Sequence, residues 1–122
     1  MSNNERDAYQ RLRAAFPELL VFPQISLGCF IATTYQRHRA LRNHYMQLTA
    51  DFVICDAATI PIAIVEIDDR SHAHPKARER DARKTTACEA ARVPLIRWPA
   101  TPLPTVEAIR ERITPLVRPA NA

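Results

Sequence analysis

The 122-residue chain reads as a single α/β domain (α+β by element order), with a mixed central sheet flanked by helices. Three observations predict this. Short runs rich in β-branched residues occur at 51–56, 61–68 and 93–98, too short and too apolar for surface helices. Helical spacing of apolar residues appears at 5–16 and again after residue 75. Prolines supply the punctuation, ten of them against the single Gly28, so element ends are marked by lost donors rather than by flexible turns.

Taken in order, Asn4 is expected to cap a helix from Glu5 to Phe16 with Ala8, Leu12, Ala15 and Phe16 as its apolar stripe. Pro17 ends it. Val21 to Ile31 reads as a strand that Pro23 confines to an edge or a bulge. Residues 33–48 are basic and irregular. Asp51 to Asp56 is a strand, 57–60 a turn, and Pro61 to Asp68 a second strand whose near-continuous apolar run calls for burial on both faces. After a loop at 69–75 come a helix over 76–92, a strand over 93–98, a proline-rich link, and a last helix over about 105–117. The order α-β-β-β-α-β-α predicts a mixed sheet with helices on its faces. A single domain is expected over 1–122, with the helix at about 105–117 as its last element.

Composition narrows the function classes. An apolar fraction of 47% permits a real core, and no run approaches the roughly 18–20 residues of a membrane span. The polar start is unlike a secretory signal, so a cytoplasmic protein is expected. Cys29, Cys55 and Cys88 are odd in number and widely spaced, which argues for buried reduced thiols rather than a disulfide framework or a zinc ribbon. The net charge of +4 is concentrated. Arg37, His38, Arg39, Arg42 and His44 form one basic stretch, and Arg70, Lys76, Arg78, Arg80, Arg83 and Lys84 a second. Such stretches suit a phosphate backbone, and equally suit solvated helix faces.

The chemistry is expected at the two central strands. If Asp56 pairs with Pro61 across the turn, Asp51 lies opposite Glu66 on one face, and the strand period brings Asp68 to that same face. A one-residue slip would separate them. Three neighbouring carboxylates repel unless they share a proton or hold a cation, and oxygen donors around an open position suit Mg²⁺ or Mn²⁺. For Glu66 the bland alternative is a solvated strand end. For His72 and His74 the alternatives are plain loop residues, phosphate contacts, or zinc ligands with Asp68. On the following helix Ala77, Asp81, Lys84, Cys88 and Ala91 share a stripe. Lys84 there is either a charge-stabilising group leaning toward the carboxylates or a snorkelling side chain paired with Asp81. Trp98 is expected in a core or interface.

The segments Asp51-Phe-Val-Ile-Cys-Asp56, Ile64-Val-Glu-Ile-Asp-Asp-Arg-Ser-His72, Arg80-Asp81 and Val93-Pro-Leu-Ile-Arg97 resemble a bacterial family of uncharacterised domains (DUF2726-like). The family belongs to the PD-(D/E)XK, or restriction-endonuclease-like, superfamily, and its pattern is similar to that of the very-short-patch repair endonucleases. The resemblance covers about residues 5–98 and is strongest over 51–72. It implies a restriction-endonuclease-like core and a Mg²⁺- or Mn²⁺-dependent DNA endonuclease. Asp51 would be the motif aspartate, Glu66 the second metal ligand, and Asp68 would stand where the superfamily usually has a lysine. His72 matches the histidine of related acidic variants, and Glu5 an auxiliary acidic residue. The chain departs from the pattern in having Leu48 where the family often has a lysine, and no lysine on the hairpin. Lys84 or Lys76 would then supply the positive charge, or the site is weakened.

Three functions are therefore expected to compete. The first is an endonuclease with Asp51, Glu66, Asp68, His72 and Lys84 at its site and Arg37, Arg39, Arg42, Arg70, Lys76 and Arg80 along the nucleic acid. The second is a nuclease-like fold that binds nucleic acid or assembles with a partner without cleaving. The third is a partner-binding domain with no nucleic-acid role. A protein partner or a homodimer stays open in each. The third is distinguished from the first two by whether the basic stretches flank the carboxylates.

Overall fold

The structure, a computed structural model, describes residues 1–28, 48–68 and 75–117. The elements follow the expected order: α1 (Asn3–Ala15), β1 (Leu20–Ser26), β2 (Thr49–Cys55), β3 (Pro61–Asp68), α2 (Pro75–Ala91), β4 (Leu95–Pro99) and α3 (Val106–Ile113), followed by a 3₁₀ turn at Thr114–Leu116. The four strands form one sheet in the order β1-β2-β3-β4. β1, β2 and β3 are antiparallel neighbours, and β4 runs parallel to β3, as a helical crossover requires. No helix among the described residues is long and apolar enough to cross a membrane.

Several element ends differ from the sequence expectation for local chemical reasons. Ser2, not Asn4, caps α1: its hydroxyl accepts from Glu5 N at 3.2 Å. The Ser-x-x-Glu spacing at 2–5 is the pattern that favours this cap over the asparagine two residues on. Pro23 lies in β1, an edge strand, as its missing donor demands. α2 ends without glycine: Arg92 takes φ 58°, donates to Glu89 O, and Val93 donates to Cys88 O. This left-handed residue turns the chain off the helix axis, so β4 begins at Leu95, two residues later than the apolar run suggests. α3 stops at Ile113 because Pro115 cannot continue an α-helix, and the chain tightens into the 3₁₀ turn.

Two apolar layers sandwich the sheet. On one face α1 (Ala8, Leu12, Ala15) and α3 (Ile109, Ile113) pack on Phe52, Ile54, Ala63, Val65 and Ile96. On the other, α2 contributes Ala87 and Cys88 against Val53, Cys55 and Ile64. β3 therefore sends Ala63 and Val65 one way and Ile64 the other, buried on both faces as its composition requires. Cys55 and Cys88 are free, buried thiols; Cys29 lies outside the described residues.

A candidate active site on the central hairpin

The β2–β3 ladder pairs Phe52 with Val65, Val53 with Ile64 and Ile54 with Ala63. Continued one step, this register sets Asp51 against Glu66. Near the turn the expected pairing fails: Cys55 pairs with Pro61 and the register shifts between Ile54 and Cys55. The cause lies in Asp56, whose carboxylate accepts from Ala58 N (2.9 Å) and Ile60 N (3.0 Å) while Thr59 turns through φ 64°. The bulge sits on the turn side, so the far end keeps the expected alignment.

The backbone locks the two carboxylates together. Ile67 N donates to Asp51 Oδ2 at 2.8 Å, and Asp51 N donates to Glu66 Oε2 at 3.3 Å. Each strand thus holds the other's acid by a main-chain donor. Glu66 is 5% exposed, the only buried charged or polar residue among those described. Burial pushes its carboxyl up to about 7, and the adjoining Asp51 carboxylate, as hydrogen-bond partner and as negative charge, pushes in the same direction. Lys84 on α2 opposes this with its ammonium 2.6 Å from Glu66 Oε1. At that distance the contact is a salt bridge, which favours the ionised carboxylate by charge and by hydrogen bonding. Lys84 leans toward the carboxylates, and its pairing is with Glu66 in a site where both side chains are largely buried.

α2 brings Lys84 there because its packing surface is small: Ala87 and Cys88 let the helix lie close on Val53 and Ile64. The Cys88 thiol is pushed up to about 11, first by burial and then by the Glu66 charge, so it stays protonated at neutral pH. Arg97, on β4, is the in-register parallel neighbour of Glu66. Its Nη2 donates to Asp81 O (2.9 Å) and Thr85 Oγ1 (3.0 Å), tying β4 to the turn of α2 that carries Lys84. Sequence reasoning gave Arg97 no role, although its two-residue offset from Leu95 on a strand was a signal for this face.

The remaining expectations are distributed as follows. Asp68 ends β3, partly exposed, with its carbonyl accepting from Ala100 N at 2.8 Å. Among the described residues no three of His, Cys, Asp and Glu form a metal-holding group, and the cross-strand hydrogen bonds of the pair join Asp51 and Glu66. By the strand repeat Asp68 shares the face of Glu66, roughly 6.6 Å further along. Glu5 is engaged by Gln24 Nε2 at 2.8 Å. Lys76 and Arg80 lie on α2, the helix that carries Lys84. Arg37, Arg39, Arg42, Arg70, His72 and His74 fall outside the described residues.

Asp51 and Glu66 present oxygen donors of the kind that could hold a hard divalent cation. Mg²⁺ is commonly held by one or two carboxylates, with water and phosphate oxygens completing its shell. A buried carboxylate such as Glu66, whose carboxyl is pushed up by burial, is where such a charge is most stabilising. The zinc alternative rests on His72 and His74, which lie outside the described residues.

Residues 1–116 match the family described as "Protein of unknown function (DUF2726)". No curated protein and no solved structure matches the chain. The chain belongs to the DUF2726 family.

Proposed function

We propose that this DUF2726 domain is a metal-dependent DNA endonuclease of the PD-(D/E)XK superfamily, with Asp51 and Glu66 as ligands of Mg²⁺ or Mn²⁺ and Lys84 as the site's lysine. The observation that carries this reading is the cross-strand Asp51–Glu66 pair, Glu66 buried and Asp51 half-buried, with an ammonium 2.6 Å from Glu66. Such a pair between packed strands has no structural need that an apolar pair would not meet better. When bound, the ion supplies Lewis acidity at the phosphoryl group and acidifies water.

The chain's own residues do the rest. Main-chain donors at 51 and 67 fix the carboxylates so that they do not reorganise when charge develops. Lys84 neutralises part of the carboxylate charge, which otherwise repels a phosphodiester, and stands ready to stabilise charge on the phosphate or to orient an attacking water. Lys76 and Arg80 hold the backbone without reading sequence. Arg37, Arg39, Arg42 and Arg70 are assigned the same task, and His72 a phosphate or water contact.

Purified protein incubated with plasmid DNA and Mg²⁺ or Mn²⁺ is expected to nick it. Asp51→Asn and Glu66→Gln are expected to lower the rate about 100-fold or more, the scale of a lost acid–base or electrostatic group. Equal nicking by wild type and Asp51→Asn would overturn the proposal.

One observation favours the alternative of a nuclease-like binding subunit. β3 ends Glu66-Ile-Asp68, with an acid where the superfamily's lysine stands. That reading expects binding that weakens steeply with salt, and no cleavage with any metal.

A further inference from the structure

We infer that Arg97 is a phosphate-binding residue of this site, presenting its guanidinium to a nucleic-acid phosphate beside the Asp51–Glu66 pair. The inference rests on the nuclease reading for its substrate class, and on its own geometry for the residue.

β3 and β4 are parallel, with Glu66 paired to Arg97. In-register residues on adjacent strands point to the same side of the sheet, with the strands about 4.8 Å apart. Arg97 therefore emerges next to Glu66 and under α2. Unlike Glu66 it is exposed, so a solvent-borne ligand reaches it. Its guanidinium is not loose. Nη2 is held by both Asp81 O and Thr85 Oγ1, and the Thr85 hydroxyl in turn donates to Asp81 O at 2.9 Å. Two acceptors on one nitrogen fix the plane of the fork and leave Nε and Nη1 without a protein partner among the described residues. Oriented, exposed, unspent donors on a planar cation match the paired oxygens of a phosphodiester. The side chain needs no further ordering to bind, so little rotamer entropy is lost.

The local charge balance also asks for it. Glu66, Lys84 and Arg97 all act on the same buried Cys88 thiol, the first against the two cations. With Lys84 committed to Glu66, Arg97 makes its hydrogen bonds to neutral acceptors. A purely structural role, tying β4 to α2, would use the same Nη2 contacts and leave the other donors idle. The two roles are separable, because removing Thr85's hydroxyl loosens the tie and keeps the charge.

The test is binding of a labelled short duplex DNA in EDTA, read by fluorescence anisotropy over a salt series, with plasmid nicking in Mg²⁺ measured in parallel. Arg97→Gln is expected to weaken binding about tenfold at low salt and to lower the log–log salt slope by about 1. Thr85→Val is expected to keep the wild-type slope, and Arg97→Lys to restore it with part of the affinity. If wild type binds and cleaves while Arg97→Gln keeps its affinity and slope, the Arg97 assignment falls and the nuclease reading stands. If Thr85→Val and Arg97→Gln lower the slope equally, the residue is only a tie. If DNA is bound through Arg97 but never cut, the assignment stands and the nuclease reading falls. A wild-type protein that neither binds nor cuts overturns both.

Discussion

Glu66 answers to neighbours that pull its proton in opposite directions. Burial and Asp51 retain it, and Lys84 works to release it. Because the carboxyl rises from 4.5 to about 7 on folding, the folded protein keeps a proton that the unfolded chain has lost over that window. Stability from this group is therefore full below about pH 4.5, declines as pH rises to about 7, and is level beyond. The full span is on the order of 3 kcal/mol. Urea denaturation of wild type and Glu66→Gln at several pH values measures it. The difference in stability is expected to move in the variant's favour between pH 5 and pH 8, and parallel curves would show that Glu66 titrates like a surface acid. Lys84→Met removes the one opposing cation, so the Glu66 titration midpoint, followed by side-chain carboxyl ¹³C NMR, is expected to move above 7. A midpoint that stays or falls would mean that the ammonium does not reach the carboxylate in solution.

At the scale of elements, the site exists because α2 lies close to the sheet. Ala87 is 0% exposed, packed with Cys88 against Val53 and Ile64. Ala87→Leu inserts three carbons where no space is left. It is expected to cost about 1–3 kcal/mol and to lift the helix, drawing Lys84 from Glu66. A stability loss accompanied by a rise in the Glu66 midpoint is the signature; a loss of stability alone would mean that the helix shifts without moving Lys84. The small-residue stripe of this helix was legible in its 3.6-residue spacing, whereas the sequence left Lys84 between facing the carboxylates and snorkelling beside Asp81. The tie from Arg97 was not legible, because it joins residues sixteen positions apart through a backbone carbonyl that every residue possesses. The hairpin divides in the same way. Its far end follows from alternation, whereas the bulge at Cys55 depends on which backbone donors Asp56 captures.

Over the whole molecule, the helices of one face are joined by two arginines acting on backbone. Arg11 Nη1 donates to Leu103 O (3.2 Å) and Pro104 O (2.9 Å), while Asp7 holds its other edge. Arg110 reaches back from α3 to Ala15 O at 3.2 Å, covering a carbonyl at the end of α1 that the helix cannot satisfy itself. The residues after 98 are therefore part of the same core: Ile109 and Ile113 are buried with Leu12 and Phe52. Arg11→Ala strands two carbonyls at once and is expected to cost about 1–3 kcal/mol, measured by thermal or urea unfolding. A change within 0.5 kcal/mol would mean that water replaces the guanidinium without loss.

Periodicity and proline placement in the sequence determined the order of elements, the double-sided burial of β3, the edge position of β1 and the meeting of Asp51 with Glu66. These are local properties: a strand's two-residue repeat and a missing donor act wherever the segment is placed. Only the tertiary structure decided that Glu66 would be buried enough to retain its proton, that Lys84 rather than Lys76 would meet it, and that Arg97 would emerge alongside. Those outcomes depend on how closely one helix approaches one sheet, and that distance is set by packing among residues far apart in the chain.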